Sequence, residues 1–277
     1  MPPADGRADR VVPVEDDSRG ILRPGPGLAR FTLERLAPPA PLDRLVRHVW
    51  IPEWHLREPY VQEVLAHPVV NVVFEHDGAA VHGVRRTRSR QELVGSGRAV
   101  GVMFRPAGFR PVLGASLASI TDRSLPIADV FPGTGVPGPE LASMPAEEAV
   151  ARIASWLEPH VPDERVASED TTELVELVAA DRSIARVDEL AARAGTSVRH
   201  LQRRFADHVG ATPKWVIRRY RLYEAAEATA HGDDVDWADL AARLGYSDQS
   251  HLTREFTAVG VSPARYAQQN RVDAAVP

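Results

Sequence analysis

The chain has 277 residues, 44% of them hydrophobic and 26% charged, which is enough for two domains with sizeable cores. It has no cysteine, so disulfides, thiolate chemistry and cysteine-ligated zinc are excluded, and no apolar run approaches the roughly 20 residues needed to span a bilayer. The net charge of -5 argues mildly against nucleic acid until it is resolved along the chain. Ser183 to Arg221 holds nine Arg and Lys against three Asp and Glu, whereas Leu222 to Pro277 holds four against nine. Local charge, not the total, governs phosphate contact.

Residues 1–20 are rich in Pro, Gly, Asp and Arg and poor in large apolar side chains, which predicts a disordered tail. They lack the apolar core of a signal peptide, so the cytoplasm is the expected compartment. From Ala29 to about Leu125 the texture is that of short strands. Phe31 to Leu36, His48 to Ile51, Tyr60 to Leu65, Val69 to Phe74, Ala79 to Val84 and Ala99 to Phe104 are β-branched or apolar runs. They are broken at Pro52, Pro59, Pro68, Asp77-Gly78 and Gly95-Ser-Gly97. Such spacing predicts a barrel or sandwich over residues 21–158. Ile120 to Phe131 reads equally as strand or helix, and Pro132 to Pro139 reads as a loop. Pro145 to Glu158 predicts an amphipathic helix, with proline at its start and Pro159 after its end.

Residues 159–169 read as a linker, and from residue 170 onward the pattern is helical. Within this half one stretch occurs twice, about fifty residues apart, which is the strongest organisational signal in the chain. Glu189-Leu-Ala-Ala-Arg-Ala-Gly-Thr-Ser-Val-Arg-His-Leu-Gln-Arg-Arg-Phe205 is matched by Asp239-Leu-Ala-Ala-Arg-Leu-Gly-Tyr-Ser-Asp-Gln-Ser-His-Leu-Thr-Arg-Glu-Phe256. Each copy has the form helix, glycine turn, helix. Gly195 and Gly245 stand where a tight turn needs a positive φ, and Ser197 and Ser247 where a hydroxyl can cap the second helix. Leu201 and Phe205, like Leu252 and Phe256, fall four apart and predict the core face. The opposite face then presents Val198, Arg199, Gln202 and Arg203 in the first copy, and Gln249, Ser250, Thr253 and Arg254, with His251 beside them, in the second. Arg pairs bidentately with guanine edges and Gln with adenine. A plain alanine-rich helical hairpin is the alternative. Two copies, each with a serine, an exposed arginine and a following Gly-x-[Ser/Thr]-Pro, argue against it. A helix from Thr212 to Ala230, ended by Gly232, joins the copies, and Pro263 opens a last helix to about Gln269.

Gly245-Tyr-Ser-Asp-Gln-Ser-His-Leu-Thr-Arg-Glu-Phe256 with Gly260-Val-Ser-Pro-Ala-Arg-Tyr266 resembles the signature of AraC/XylS-type transcription regulators. The resemblance runs from about Asp170 to Gln269, within an expected DNA-binding domain of residues 170–277. It implies two helix-turn-helix subdomains entering successive major-groove segments about one helical turn, ~34 Å, apart. It also implies base-reading positions at Arg199, Gln202 and Arg203, then Ser250, His251 and Arg254. The partners it implies are double-stranded promoter DNA, RNA polymerase, a small-molecule effector and a second copy of the chain. One departure is the exit from the second copy, where Phe256-Thr-Ala-Val-Gly260 is one residue shorter than Phe205-Ala-Asp-His-Val-Gly210. The shorter exit predicts a tightened final turn in the second copy, and its acidic surroundings predict weaker phosphate anchoring than in the first.

The first half resembles, more weakly, the N-terminal domains that accompany this DNA-binding domain. The resemblance rests on His67 to Phe74 and Val100 to Phe109. It implies a small-molecule sensing or dimerising domain, with a cupin-like barrel as one form of it. The whole is therefore expected to be an α+β chain, a β-rich domain followed by an all-α domain. His67, His76 and His82 lack the H-x-H pair of a cupin metal site, so no metal and no cofactor is expected. Trp50 and Trp54, four apart in a strand, face one side. A plain core role is the expectation for them, an apolar pocket the alternative. Arg105 and Arg110 are expected to be solvated. No Ser/His/Asp, paired-carboxylate or phosphate-loop arrangement stands out, so no enzyme is expected. Two other readings stay open: a constitutive DNA-binding protein whose first half only dimerises, and a cupin-type enzyme fused to a DNA-binding domain. A DNA-alkylation repair protein with such a fusion would need nucleophilic cysteines, and the chain has none.

Overall fold

The computed structural model describes residues 27–133, 135–230 and 236–258. The expected tail, Gly232, the short exit at residue 260 and the last helix from Pro263 lie outside these residues.

Nine strands occupy the first half: β1 (Phe31–Leu36), β2 (Val46–His55), β3 (Tyr60–Val64), β4 (Asn71–Glu75), β5 (Gly78–His82), β6 (Ser89–Leu93), β7 (Ser96–Arg98), β8 (Val100–Phe104) and β9 (Ser124–Pro126). Seven of them form one antiparallel sheet in the order β1-β2-β8-β4-β5-β9, with β7 also on β2. β3 and β6 make a separate two-stranded sheet. Among the described strands β1 and β9 end the large sheet and are not paired with each other, so the barrel expected as one form is two facing walls. Pro59 and Pro68, which cannot donate to a ladder, bracket β3 and help set it apart from the large sheet. β6, β7 and β9 were not legible as apolar runs: β6 reads Ser-Arg-Gln-Glu-Leu, and β7 begins inside the expected Gly95-Ser-Gly97 break.

The pleat sends alternate residues to opposite faces of the large sheet. Val49, Ile51, Val72, Phe74, Val81, Val100, Val102 and Phe104 are buried on one face. Short helices α1 (Arg110–Leu113) and α2 (Ile127–Val130) and the longer α3 (Ala146–Leu157) follow in the chain. α3 lays Ala149, Val150, Ile153, Trp156 and Leu157 into that core, with Trp156 edge-on to Phe74 at 5.7 Å between ring centroids.

The second half is helical: α4 (Ala167–Ala180), α5 (Val187–Arg193), α6 (Val198–His208), α7 (Pro213–Ala230), α8 (Trp237–Arg243) and α9 (Gln249–Ala258). One core gathers Leu190, Leu201 and Phe205 of the first repeat copy, Leu240, Leu252 and Phe256 of the second, and Val216, Ile217 and Tyr220 of α7. Leu65, Val84 and Ala107 of the β-rich half enter the same core. Polar contacts close the seam between the halves. Arg105 pairs with Glu176 at 2.8 Å and Arg110 with Asp207 at 3.2 Å. Tyr223 donates its hydroxyl to the Leu65 carbonyl at 3.1 Å, and Thr121 donates to the Gly210 carbonyl at 2.7 Å. Arg105 and Arg110 were expected at a solvated surface; they tie the halves together instead, because α4 and α6 bring a carboxylate to each.

Candidate nucleic-acid interface and cavity

The two repeat copies fold alike where backbone demands are strictest. Gly195 has φ +60° and Gly245 φ +75°, the left-handed region where a side chain is strained. In both copies the turn is closed by the same pair of bonds. Gly195 N–H donates to Ala192 O at 3.1 Å and Thr196 N–H to Ala191 O at 3.0 Å; Gly245 N–H donates to Ala242 O at 3.1 Å and Tyr246 N–H to Ala241 O at 2.9 Å. This is the Schellman closure, which satisfies the last carbonyls of α5 and of α8 and fixes the angle at which α6 and α9 leave.

The caps differ. Ser197 Oγ accepts from His200 N–H at 3.2 Å, as expected. In the second copy Ser247 does not take that role: Asp248 Oδ1 accepts from His251 N–H at 2.7 Å, while Ser247 Oγ donates to Asp248 Oδ2 at 3.3 Å. The one-residue insertion explains the change, since it puts a carboxylate next to the start of α9. That contact holds the Asp248 carboxyl below its ordinary range. The preceding helices are also capped by different means: Glu189 reaches back to Arg186 N–H at 2.8 Å, and Asp236 accepts from Ala238 N–H at 2.9 Å.

On α6, Arg199, Gln202 and Arg203 are exposed, with Leu201 and Phe205 buried behind them. Arg203 Nη2 lies 3.1 Å from His200 Nδ1. Arg204, next in sequence, is used structurally: its Nε donates to Thr171 Oγ1 at 2.7 Å, tying α6 to α4. On α9, Ser250 and Arg254 are exposed and His251 half-buried, its ring edge-on to Tyr246 at 5.2 Å. Arg254 Nε donates to Ser250 O at 3.3 Å. Arg199, Gln202 and Arg203 are thus exposed together on α6, and Ser250 and Arg254 on α9, while the His251 ring packs on Tyr246; the contacts to the β-rich half fall at the other end of α6, on Ala206 and Asp207.

The β-rich half contains a cavity of about 530 Å³ between its two walls. Trp50 and Trp54 line it, so the pocket alternative, not the plain core, is what the structure has. They are paired across the sheet with glycines: Trp50 with Gly101 and Trp54 with Gly97. A Cβ on either glycine would collide with the indole. Each indole is also tethered, Trp50 Nε1 to Asn71 Oδ1 and Trp54 Nε1 to Val94 O, both at 3.2 Å. The signal was in the sequence: two tryptophans four apart and two glycines four apart, which antiparallel pairing superimposes.

His67, His76 and His82 do not converge. His67 stacks on Tyr223 at 4.7 Å, His76 is exposed in the β4–β5 turn, and His82 Nδ1 contacts Ser124 Oγ at 2.8 Å. Among the described residues no three His, Asp or Glu are grouped as metal ligands. No described helix is long and apolar enough to cross a membrane.

Residues 190–275 match a family described as a helix-turn-helix domain, and residues 34–126 match a domain of unknown function, DUF6597. The chain is 34% identical over 84 residues to "Probable transcription factor PqrA" of Proteus vulgaris, spanning 30% of this chain and 68% of that protein. Among solved structures it is similar to ToxT from Vibrio cholerae O395, with a TM-score of 0.39 and 10% identity over 79% of this chain and 96% of that one. It is also similar to unsaturated fatty acid-bound wild-type ToxT from Vibrio cholerae, with a TM-score of 0.38 and 10% identity over 79% and 94% of the two chains.

Proposed function

The chain belongs to the AraC/XylS-type family of transcription regulators, and from that premise we propose that its two helix-turn-helix units read one asymmetric promoter site under the control of a small molecule held in the β-rich half. Arg199, Gln202 and Arg203 on α6, and Ser250, His251 and Arg254 on α9, are the side chains that meet base edges in this reading. The observation that carries it is the doubled unit itself: the same glycine turn and the same buried Leu and Phe, with arginine turned outward in both copies. Two heads on one chain read two groove segments without two-fold symmetry. Arg is the residue best suited to guanine edges, and each good bidentate pair discriminates by about 1–3 kcal/mol.

Residues 21–158 sense and residues 170–277 bind DNA in this proposal, with 159–169 between them. A sensing role is favoured over dimerisation alone by the cavity, which falls within the ~300–1,000 Å³ usual for small-molecule sites. The β-rich half acts as a sensor rather than an enzyme, and RNA polymerase and a second copy of the chain are further partners, in the cytoplasm where the promoter is. Selection of bound fragments from genomic DNA tests the reading. Enrichment of a few discrete promoter fragments is expected; recovery indistinguishable from bulk DNA would overturn it.

A further inference from the structure

Residues 116–123 lie between the two halves, with backbone packed against them on both sides. The segment contains a 3-10 turn, Leu117–Ile120, whose Leu117 and Ile120 side chains are buried in the core of the β-rich half. On one side it lies against Gly83, which lines the cavity: a Cβ there would run into the Ile120 carbonyl. Gly83 N–H donates to Arg123 O and Asp122 N–H to Val84 O, each at 3.0 Å. Asp122 has φ +58°, a left-handed backbone that Asp adopts more readily than most side chains. Arg86 holds it there, its N–H donating to Oδ1 at 2.8 Å and its Nε to Oδ2 at 2.6 Å.

On the other side the same segment meets the end of α6. Thr121 Oγ1 donates to Gly210 O at 2.7 Å, and Ser116 Oγ reaches Ala206 O at 3.5 Å. Gly210 closes α6, its N–H donating to Phe205 O at 3.1 Å, and it is buried with φ +77°. A Cβ on it would stand 2.7 Å from Thr121 Oγ1 and 2.9 Å from Leu117 O. Two glycines therefore let the segment be gripped, one beside the cavity and one at the end of the reading helix. Arg199, Gln202 and Arg203 lie earlier on α6 and are exposed. The segment holds the end of the helix without covering the side chains that would read bases, so it places the helix rather than masks it.

We propose that residues 116–122 form a strap that sets the placement of the first reading head, with Thr121 as its positioning residue. This rests on the proposed DNA-reading role for its meaning, but the contact can be measured without DNA. Thr121→Val keeps a branched side chain and removes the donor, which leaves a carbonyl at a buried residue short of a bond. Thr121→Ser keeps the donor. Gly83→Ala pushes on Ile120 from the cavity side and moves the strap by another route.

Amide hydrogen exchange and footprinting on a selected promoter fragment, both on the full chain, test the strap. In Thr121→Val the Val209 and Gly210 amides are expected to exchange about tenfold faster, while Gly245 and Tyr246 in the second copy exchange as in the natural chain. The segment most sensitive to Arg203→Ala is expected to need about three- to tenfold more protein for protection and to be lost before the other. Thr121→Ser is expected to match the natural chain in both measurements, and Gly83→Ala to shift both as Thr121→Val does. If Gly83→Ala does not fold, the two threonine variants decide.

The proposal is overturned if Thr121→Val leaves the Val209 and Gly210 amides or the footprint unchanged, or if Thr121→Ser behaves like Thr121→Val. It is also overturned if both copies loosen together, if both segments weaken in parallel, or if a cooperatively melting Gly83→Ala behaves as the natural chain. Specific protection by the natural chain that Thr121→Val does not alter removes only the strap. Selective exchange at Val209 and Gly210, with no specific protection by the natural chain, removes the DNA-reading role and leaves the contact that holds α6.

Discussion

At the level of single residues, the two reading heads are alike in their turns and unlike in their caps and charges. Ser197 satisfies the His200 amide, so Ser197→Ala is expected to lower stability in urea by about 1 kcal/mol, the usual worth of such a cap. In the second copy the equivalent change belongs to a different residue: Asp248→Ala is expected to destabilise more than Ser247→Ala, because Asp248 holds the amide. Equal melting of the Asp248 and Ser247 variants would contradict that assignment. Arg203 and Arg254 stand at matching places, but the segment around the first is the basic one. Arg203→Ala is therefore expected to cost more DNA affinity than Arg254→Ala in a gel shift at matched salt, and equal losses would refute the ranking. The repeat made the glycine turns and the buried Leu and Phe readable, because those positions obey backbone geometry and helical spacing. The Asp248 cap was hidden by the one-residue insertion that moved it into place.

Among elements, the seam between the halves depends on a few side chains that a one-dimensional pattern does not mark. Arg44, in the turn before β2, donates to the Pro162 carbonyl at 2.6 Å, to Glu164 O at 2.8 Å and to Glu169 Oε1 at 2.7 Å. Glu169 also accepts from Val166 N–H at 2.9 Å, which closes the start of α4. The Arg44 guanidinium, more than any other group, holds the Glu169 carboxyl below its ordinary range. A depressed carboxylate stabilises the fold above its unfolded pKa and loses that contribution as pH falls through the folded value. The stability difference between the natural chain and Glu169→Gln should therefore be constant at neutral pH and shrink below about pH 5. Urea unfolding at a series of pH values checks this, and a difference that grows on acidification would contradict it. Such contacts join positions more than a hundred residues apart, so neither periodicity nor composition marks them. Strands rich in Val and Phe were readable from their apolar runs. β6 was not, because half of it faces a polar cavity wall and the chain has no need to make it apolar.

For the whole molecule, contacts across the seam join the β-rich half to α4, to the first helix-turn-helix unit and to α7. α7 runs between the two heads and also touches the loops after β3 and after β5, beside the cavity. Tyr223 bonds the Leu65 carbonyl and stacks on His67, which lines the cavity, and Arg219 Nη2 donates to Arg86 O at 2.8 Å. Arg219 is a buried guanidinium set over Trp215 at 4.6 Å, with desolvation pulling its pKa down. The helix that spaces the two heads is thus in contact with the β-rich half, as α4 and α6 are. The architecture of two unequal heads on one chain makes the central claim, and footprinting on a selected promoter fragment tests it most directly. Two protected major-groove segments about one helical turn, ~34 Å, apart on one DNA face are predicted. Their sequences should be unrelated, and Arg203→Ala should abolish protection of one segment before the other. A single protected segment, or two segments related as an inverted repeat, would contradict the account.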